Sequence, residues 1–288
     1  MAINVASITP SWLIKKKKDF TDGVAGLEKL GFNVLNKACV TKLPSPQDKA
    51  AQIHAAFINA NAKLILAQRG GYSALKILPY IDFNLIKKHP KLFAGFSDIT
   101  ALLNPIYERC GIITLHSPMV VNFSPRRPMV IKSFMNAVNG FPEKDLFKGT
   151  KVKIFHHGKA CGILKGGNLI TLTSMIKTLW ETDFNGCIVF LEDVDEKLHS
   201  IDRHLTQLIL LGILQKAAGI ILGTFNGVNV DDVYKIISSQ MKIKVPIVHC
   251  PNIGHVPNKI TLPVGAKVSL DTSSKRLKIL ALRGLPSL

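Results

Sequence analysis

Several things this chain lacks narrow its chemistry. Its five cysteines, at 39, 110, 161, 187 and 250, include no Cys-x-x-Cys pair, and there is no His-Glu-x-x-His and no close cluster of histidine, cysteine and acid. No metal and no cofactor are therefore expected. Five is also an odd number, which in a secreted protein leaves one thiol unpaired, so a reducing compartment fits better. Each cysteine is expected to pack as a small hydrophobe. Uninterrupted apolar runs are short: even residues 205–224 are broken by Gln207, Gln215 and Lys216, so no membrane span or membrane partner is expected. The apolar residues near the start precede Lys15, Lys16, Lys17 and Lys18, the reverse of a secretory signal. A soluble, cytoplasmic protein is the expectation.

Acidic residues are scarce, 19 against 37 lysines and arginines, for a net charge of +18. Such a balance favours acidic partners. The lysines are scattered, however, and neither an aromatic RNA-binding pattern, a zinc finger nor a basic heptad is present, so no nucleic acid is expected. What the chain does have is apolar residues, 47% of 288, enough for large cores and about two domains.

Strand and helix signals alternate along the first half. Residues 2–8, 32–35, 63–67, 91–96 and 111–115 read as strands, and 20–30, 46–61, 73–78, 83–88 and the stretch from Asp98 as helices. Gly31 is a candidate C-cap, and Ser45 and Asp48 open the helix at 46. Alternation of this kind specifies an α/β fold with a doubly wound parallel sheet. In such sheets ligands bind beyond the carboxyl ends of the strands. The loops RGGY, SDIT and HSPM should therefore share one rim. Between 122 and 150 the pattern weakens, and Arg126, Arg127, Pro128, Pro142 and Gly149 read as a connection. This places an N-terminal domain at 1–140, a connection at 141–155 and a C-terminal domain at 156–288. In the second half of the chain, strands are expected at 151–155, 187–191, 218–222 and 246–249, and helices at 169–179, 202–214 and 231–241. The tail alternates strands with turns.

The period changes at Ser97. Before it lies a short apolar strand; after it Ile99, Leu102, Leu103, Ile106 and Tyr107 follow helical spacing. A serine on a sharp strand-to-helix turn exposes its hydroxyl beyond the sheet edge, beside the amide of Asp98 at a helix N-terminus. A plain N-cap at Ser97 or Asp98 explains the same residues. Nine histidines compete for the role of base. His249 lies among apolar strand residues, His54 on a helix, and His199 and His204 flank a helix start. His89, His116, His156 and His157 read as surface or turn residues. His255 sits in the loop NIGHVPN, where Gly254 permits close backbone approach and Pro257 stiffens the chain; an ordinary surface histidine remains the alternative. Glu192 and Asp193 close the apolar strand CIVFL, and a buried acid there needs a partner, either the following segment, which it would cap, or an imidazole, which it would orient. Ser97, Glu192 and His255 supply the three roles that acyl transfer requires. The RGGY loop matches neither glycine-rich nucleotide pattern.

The blocks RGGYSALKILPYID, GFSDITAL, GIITLHSPM, GKACGILKGGNLITL, IVFLEDVDE, IDRHLTQL and NIGHVPNKITLPVG together resemble, in order and over nearly the whole chain, the LD-carboxypeptidase family of serine peptidases. The resemblance implies a two-domain protein, an N-terminal doubly wound parallel-sheet domain with a smaller, β-rich C-terminal α/β domain, usually paired as a homodimer. The implied reaction is hydrolysis of the L,D-peptide bond to the terminal D-alanine of muropeptide tetrapeptides in cell-wall recycling. It makes Ser97 the nucleophile, Glu192 and His255 the other triad members, and the backbone amides of Gly71 and Asp98 the oxyanion hole. Arg69, Tyr72, Asn168 and Glu196 are the candidate substrate contacts, with a surface ion pair the alternative for Arg69 and for Glu196. The chain departs from the family pattern at Ser73 and Ser117, each in place of a usual glycine, and at Lys177 before Thr178. Pro105, inside the helix after Ser97, should kink it or end its first segment. Two alternatives stand beside this reading: a relative of the immunity peptidases that cut peptidyl-nucleotide antibiotics such as processed microcin C, and a catalytically silent binding protein.

Overall fold

Short apolar strands and amphipathic helices alternate through the first half of the chain in the computed structural model, which describes residues 2–124 and 127–287. They are β1 (Ile3–Ile8), α1 (Lys17–Glu28), β2 (Phe32–Val34), α2 (Pro46–Ile58), β3 (Leu64–Ala67), α3 (Phe83–Lys88), β4 (Leu92–Gly95), α4 (Thr100–Cys110), β5 (Thr114–His116) and α5 (Pro128–Val138). Strands β3 and β4 are buried at every residue, which is why they read as unbroken apolar runs. Helix α2 begins with a reciprocal cap: Ser45 Oγ accepts the Asp48 amide at 3.1 Å, and Asp48 Oδ2 accepts the Ser45 amide at 3.3 Å. Pro46 stands at the first helical position, where a missing N–H costs nothing. Strand β1 pairs in parallel with β2 and β3, β3 with β4, and β4 with β5. This is the doubly wound order β2-β1-β3-β4-β5, with its switch point between β1 and β3.

The second half contains β6 (Lys153–His156), β7 (Lys159–Asn168), α6 (Leu169–Thr173), β8 (Ile188–Asp193), α7 (Leu198–Leu210), β9 (Gly219–Phe225), α8 (Val230–Gln240), β10 (Ile247–His249), β11 (Leu262–Val264), β12 (Lys267–Asp271) and β13 (Arg276–Ala281). Its sheet runs β13-β12-β7-β8-β9-β10-β6. The four central strands are parallel, and β12, β13 and β6 pair antiparallel at the edges. The chain thus forms two units. One comprises Met1–Pro142, Thr261–Pro263 and Gly284–Leu288, and the other Glu143–Ile260 and Val264–Arg283. Leu262 and Pro263 belong to the first and extend its sheet beside β5.

Some elements differ from the sequence reading. The stretch 122–150 is not merely a connection, for it contains α5, whose Val130, Phe134, Ala137 and Val138 are buried. Pro128 and Arg127 mark the start of that helix rather than a loop; Arg126 lies outside the described residues. Strand β5 begins at Thr114 instead of residue 111, because Gly111, at φ +69°, forms the left-handed cap of α4. Helix α4 continues through Pro105 and is not ended by it, although proline has no N–H to donate to the Ala101 carbonyl. The segment after RGGY is a 3-10 turn at Ala74–Tyr80 that carries Pro79 within it. Helix α6 is only five residues long, and α7 starts at Leu198, not 202. His116 is buried, not on the surface. Cys110, Cys187 and Cys250 are buried as expected, but Cys161 is exposed.

Candidate active site

Parallel pairing puts the loops after β1, β3, β4 and β5 at one edge of the first sheet. Ser97 follows β4 there. Its φ of +67° lies in the left-handed region, which costs an L-residue about 1–2 kcal/mol. An N-cap does not require that conformation, since cap residues are ordinarily extended. It is instead the geometry of a sharp strand-to-helix turn, where strain is characteristic of functional positions. The RGGY loop after β3 faces this serine: a Cβ built on Gly70 would lie 2.9 Å from both Cβ and Oγ of Ser97. Glycine at 70 therefore keeps the space over the hydroxyl open. Gly71, at φ +151°, leans on the loop after β1, where a Cβ would come within 2.3 Å of Trp12 Cβ. Ser117, after β5, is buried and donates its amide to the Gly95 carbonyl at 2.9 Å.

Beneath the turn, Asp98 ties these loops together. Its Oδ2 accepts the amides of Ser73 and Ala74, both at 2.8 Å, and the hydroxyl of Ser11. Burial raises its carboxyl above the usual aspartate range, while the Ser11 and Ala74 hydrogen bonds and the charge of Lys49 oppose the rise. Lys49, on the buried face of α2, is only 2% exposed. Its ammonium donates to Ser73 Oγ at 2.6 Å and to the Ser11 carbonyl, and the Ser73 hydroxyl donates to that same carbonyl at 3.0 Å. Burial pulls the Lys49 amine below the ordinary lysine range, with Asp98 acting in the opposite direction.

In the second unit, Glu192 lies at the C-terminal end of β8 and His255 in the loop after β10. Glu192 Oε2 and His255 Nδ1 are 2.8 Å apart, with the carboxylate side chain fully buried and the imidazole 18% exposed. With a proton on Nδ1 the ring donates to this carboxylate, and in that tautomer Nε2 is the acceptor. Two glycines make room for it. A Cβ at Gly254, where φ is +107°, would stand 2.6 Å from Glu192 Oε2, and one at Gly223 would stand 2.9 Å from Glu192 Cβ. Asn226 Nδ2 anchors the loop by donating to the His255 carbonyl at 3.0 Å. The adjacent Asp193 accepts from Asn168 Nδ2 and from the amides of Ile170 and Val194, yet burial pushes its carboxyl up to about 6.

The expected substrate contacts fare unevenly. Asn168 is buried; it spends its amide on Asp193 and its carbonyl oxygen on Thr171, as the N-cap of α6. These bonds tie the start of α6 to the end of β8. Arg69 is half-buried and donates Nη1 to the Leu13 carbonyl at 2.7 Å. Tyr72 is exposed and stacks on Trp12 with ring centroids 4.3 Å apart. Glu196 is half-buried, and its charge acts on His204. A groove of about 630 Å³ along α7, lined among others by His199, Asp202 and Arg203, includes none of these residues. Among the described residues no group of three or more His, Cys, Asp or Glu could hold a metal, and no helix is long and apolar enough to cross a membrane. The sequence reading missed Gly70, Lys49, Ser11, Gly223 and Asn226. Of these only Gly70, inside the quoted RGGY, carried a local signal.

Residues 5–117 match the family model for the LD-carboxypeptidase N-terminal domain, and residues 161–270 the one for the LD-carboxypeptidase C-terminal domain. The chain is 33% identical to the probable murein peptide carboxypeptidase of Bacillus subtilis, over 86% of this chain and 83% of that protein. It is 26% identical to the microcin C7 self-immunity protein MccF of Escherichia coli, over 92% and 89% of the two chains. The structure of muramoyltetrapeptide carboxypeptidase from Oxalobacter formigenes superposes with a TM-score of 0.81 at 26% identity, covering 96% of this chain and 97% of that one.

Proposed function

The chain belongs to the LD-carboxypeptidase family, and from that premise we propose that it is a serine carboxypeptidase releasing the terminal D-alanine from muropeptide tetrapeptides in cell-wall recycling. The observation that carries the reading is the Glu192–His255 pair: a fully buried carboxylate at 2.8 Å from an accessible imidazole. Burying a carboxylate is expensive, and orienting a base is a return that packing alone does not offer. The left-handed backbone of Ser97 supports it as well.

In this mechanism the Ser97 oxygen attacks the carbonyl carbon of the L,D-bond and its proton passes to His255 Nε2. The amides of Asp98 and Gly71 stabilise the tetrahedral oxyanion, ordinarily the largest single contribution. Collapse breaks the C–N bond, and His255 returns the proton to the departing amine of D-alanine. Water then attacks the acyl ester, again with His255 as base, and releases the shortened peptide. Glu192 holds the imidazolium throughout. Arg69, beside the RGGY glycines, suits the carboxylates of such a peptide, with Tyr72 and Glu196 as further contacts. Five free cysteines support a reducing, cytoplasmic location.

The similarity to MccF along almost the full chain favours a second reading, cleavage of a peptidyl-nucleotide antibiotic. Incubating the purified protein separately with muropeptide tetrapeptide and with processed microcin C, with products read by mass spectrometry, separates the two. Loss of one D-alanine from the tetrapeptide is expected, slowed by several orders of magnitude in Ser97→Ala. Wild-type turnover in Ser97→Ala would refute the assignment.

A further inference from the structure

A lysine in the first turn of a helix is unfavourably placed, because that end of the helix carries partial positive charge. Lysine is also among the residues least often fully buried. Lys49 is both, at the fourth position of α2 and 2% exposed. Something must hold it there, and the groups around it are those of the nucleophile turn. Its ammonium donates to Ser73 Oγ and to the Ser11 carbonyl, one residue from each of two loops. Asp98 Oδ2 gathers the same two residues from the other side, through the Ser11 hydroxyl and the Ser73 amide, and adds Ala74. Ser11, Ser73 and Asp98 follow β1, β3 and β4, three adjacent strands of the sheet. The cluster therefore spans the switch point and fixes the separation between the RGGY loop and the turn at Ser97.

We infer that Lys49 is a positioning residue for the nucleophile turn, balancing the buried Asp98 carboxylate so that the Asp98 and Gly71 amides are held where an oxyanion forms. The inference rests on the reading of Ser97 as nucleophile. A single carboxylate oxygen with three donors is a strong clamp only while ionised. Lys49 is the cation facing it; Lys76, on the turn after RGGY, acts on Lys49 in the opposite sense. Ser73, where the resembling family usually has glycine, accepts from Lys49 through its hydroxyl and donates to Asp98 through its amide, so one residue meets both charges. The departure thus has a use in this chain.

The test compares wild type, Lys49→Met, Asp98→Asn, Ser73→Ala and the Lys49→Met/Asp98→Asn double variant. Two activities are followed: D-alanine release from muropeptide tetrapeptide, and phosphonylation of Ser97 by a fluorophosphonate, in which the serine oxygen displaces fluoride from phosphorus. Losing one oxyanion donor costs about 100- to 1000-fold in kcat; loosening two is expected to cost about 10- to 100-fold, with KM within about threefold. The double variant should be no slower than Asp98→Asn alone, since both act through one clamp. Wild-type kcat and labelling rate in Lys49→Met, or multiplying losses in the double variant, would overturn the inference. If Lys49→Met does not fold, Ser73→Ala decides: a kcat and labelling rate equal to wild type overturns it, and a several-fold fall in both at unchanged KM upholds it. Wild type that is labelled at Ser97 but spares the tetrapeptide removes the substrate reading alone, and the labelling rates still decide. Wild type inert to both removes the nucleophile and the inference together.

Discussion

Replacing Gly254 with alanine should damage the base more than the fold, and the structure allows the two effects to be separated. The added methyl would lie 2.6 Å from Glu192 Oε2, the oxygen bonded to His255, and 2.8 Å from Glu192 Cβ. Glu192 has little room to retreat, because it is fully buried and the Gly223 backbone closes on its Cβ from another side. Two costs add. Holding an L-residue at φ +107° costs about 1–2 kcal/mol, and displacing a packed buried group costs about 1–3 kcal/mol, for a sum of about 2–5 kcal/mol. Gly31→Ala isolates the first cost, since Gly31 has φ +89° and open space where its Cβ would go. Urea unfolding of both variants, analysed with a common m-value, should place Gly254→Ala about 1–3 kcal/mol below Gly31→Ala. Turnover should fall about 100-fold in Gly254→Ala, as for a catalytic group misplaced by about 1 Å, and stay at wild-type level in Gly31→Ala. Equal stability of the two variants with full activity in Gly254→Ala would refute the account of the Glu192–His255 pair.

Two further outcomes follow from strain and burial. Ser97→Gly relieves the left-handed strain that Ser97→Ala retains, so it should unfold about 1 kcal/mol later than Ser97→Ala in urea; the opposite order would argue against a strained turn. Asp193 has its carboxyl raised to about 6 in the folded protein from an ordinary 3.8, so between those values the native state keeps a proton that the unfolded chain has lost. Stability contributed at this site is therefore greatest at low pH and declines as pH rises from about 4 to about 6, by on the order of 3 kcal/mol. The stability difference between wild type and Asp193→Asn should shrink or reverse across that window, and a difference independent of pH would refute the shift.

How much of this was legible in the residues depends on which local rule each one breaks. Glu192 interrupts an unbroken apolar strand, a departure visible without any structure, and β8 places it where the pattern implied. Apart from the family blocks, Ser97 was legible only as a change of period. Its positive φ is a backbone property that no residue type announces, since serine is equally at home in a cap. His255 stood out from eight other histidines through Gly254. The structure gives that glycine its reason, since its missing side chain is the space that the Glu192 carboxylate occupies. The strand and helix order of the first unit was readable because its helices are one-sided and β3 and β4 are uniformly apolar. Helix α5 was obscured because the Arg and Pro residues at its start drew attention from a sound apolar spacing.

Lys49 shows where reading residue by residue stops. In sequence it is one of many lysines, in the first turn of a helix, with nothing to distinguish it from a solvated surface charge. Its burial is set by Ser11, Ser73 and Asp98, which lie 38, 24 and 49 positions away and which only the parallel order of β1, β3 and β4 brings to one sheet edge. A buried charge with a partner is legible from sequence only when the partner is local. Here the partner is assembled by topology, so the doubly wound order had to be established before the lysine could mean anything. The dependence also runs the other way. If Lys49 balances Asp98, then Ser73 is a hydroxyl with two bonds to make and not a neutral exchange for glycine. Reverting it to glycine in a Lys49→Met background should then change neither kcat nor KM further, because the link it provides has already lost one of its ends.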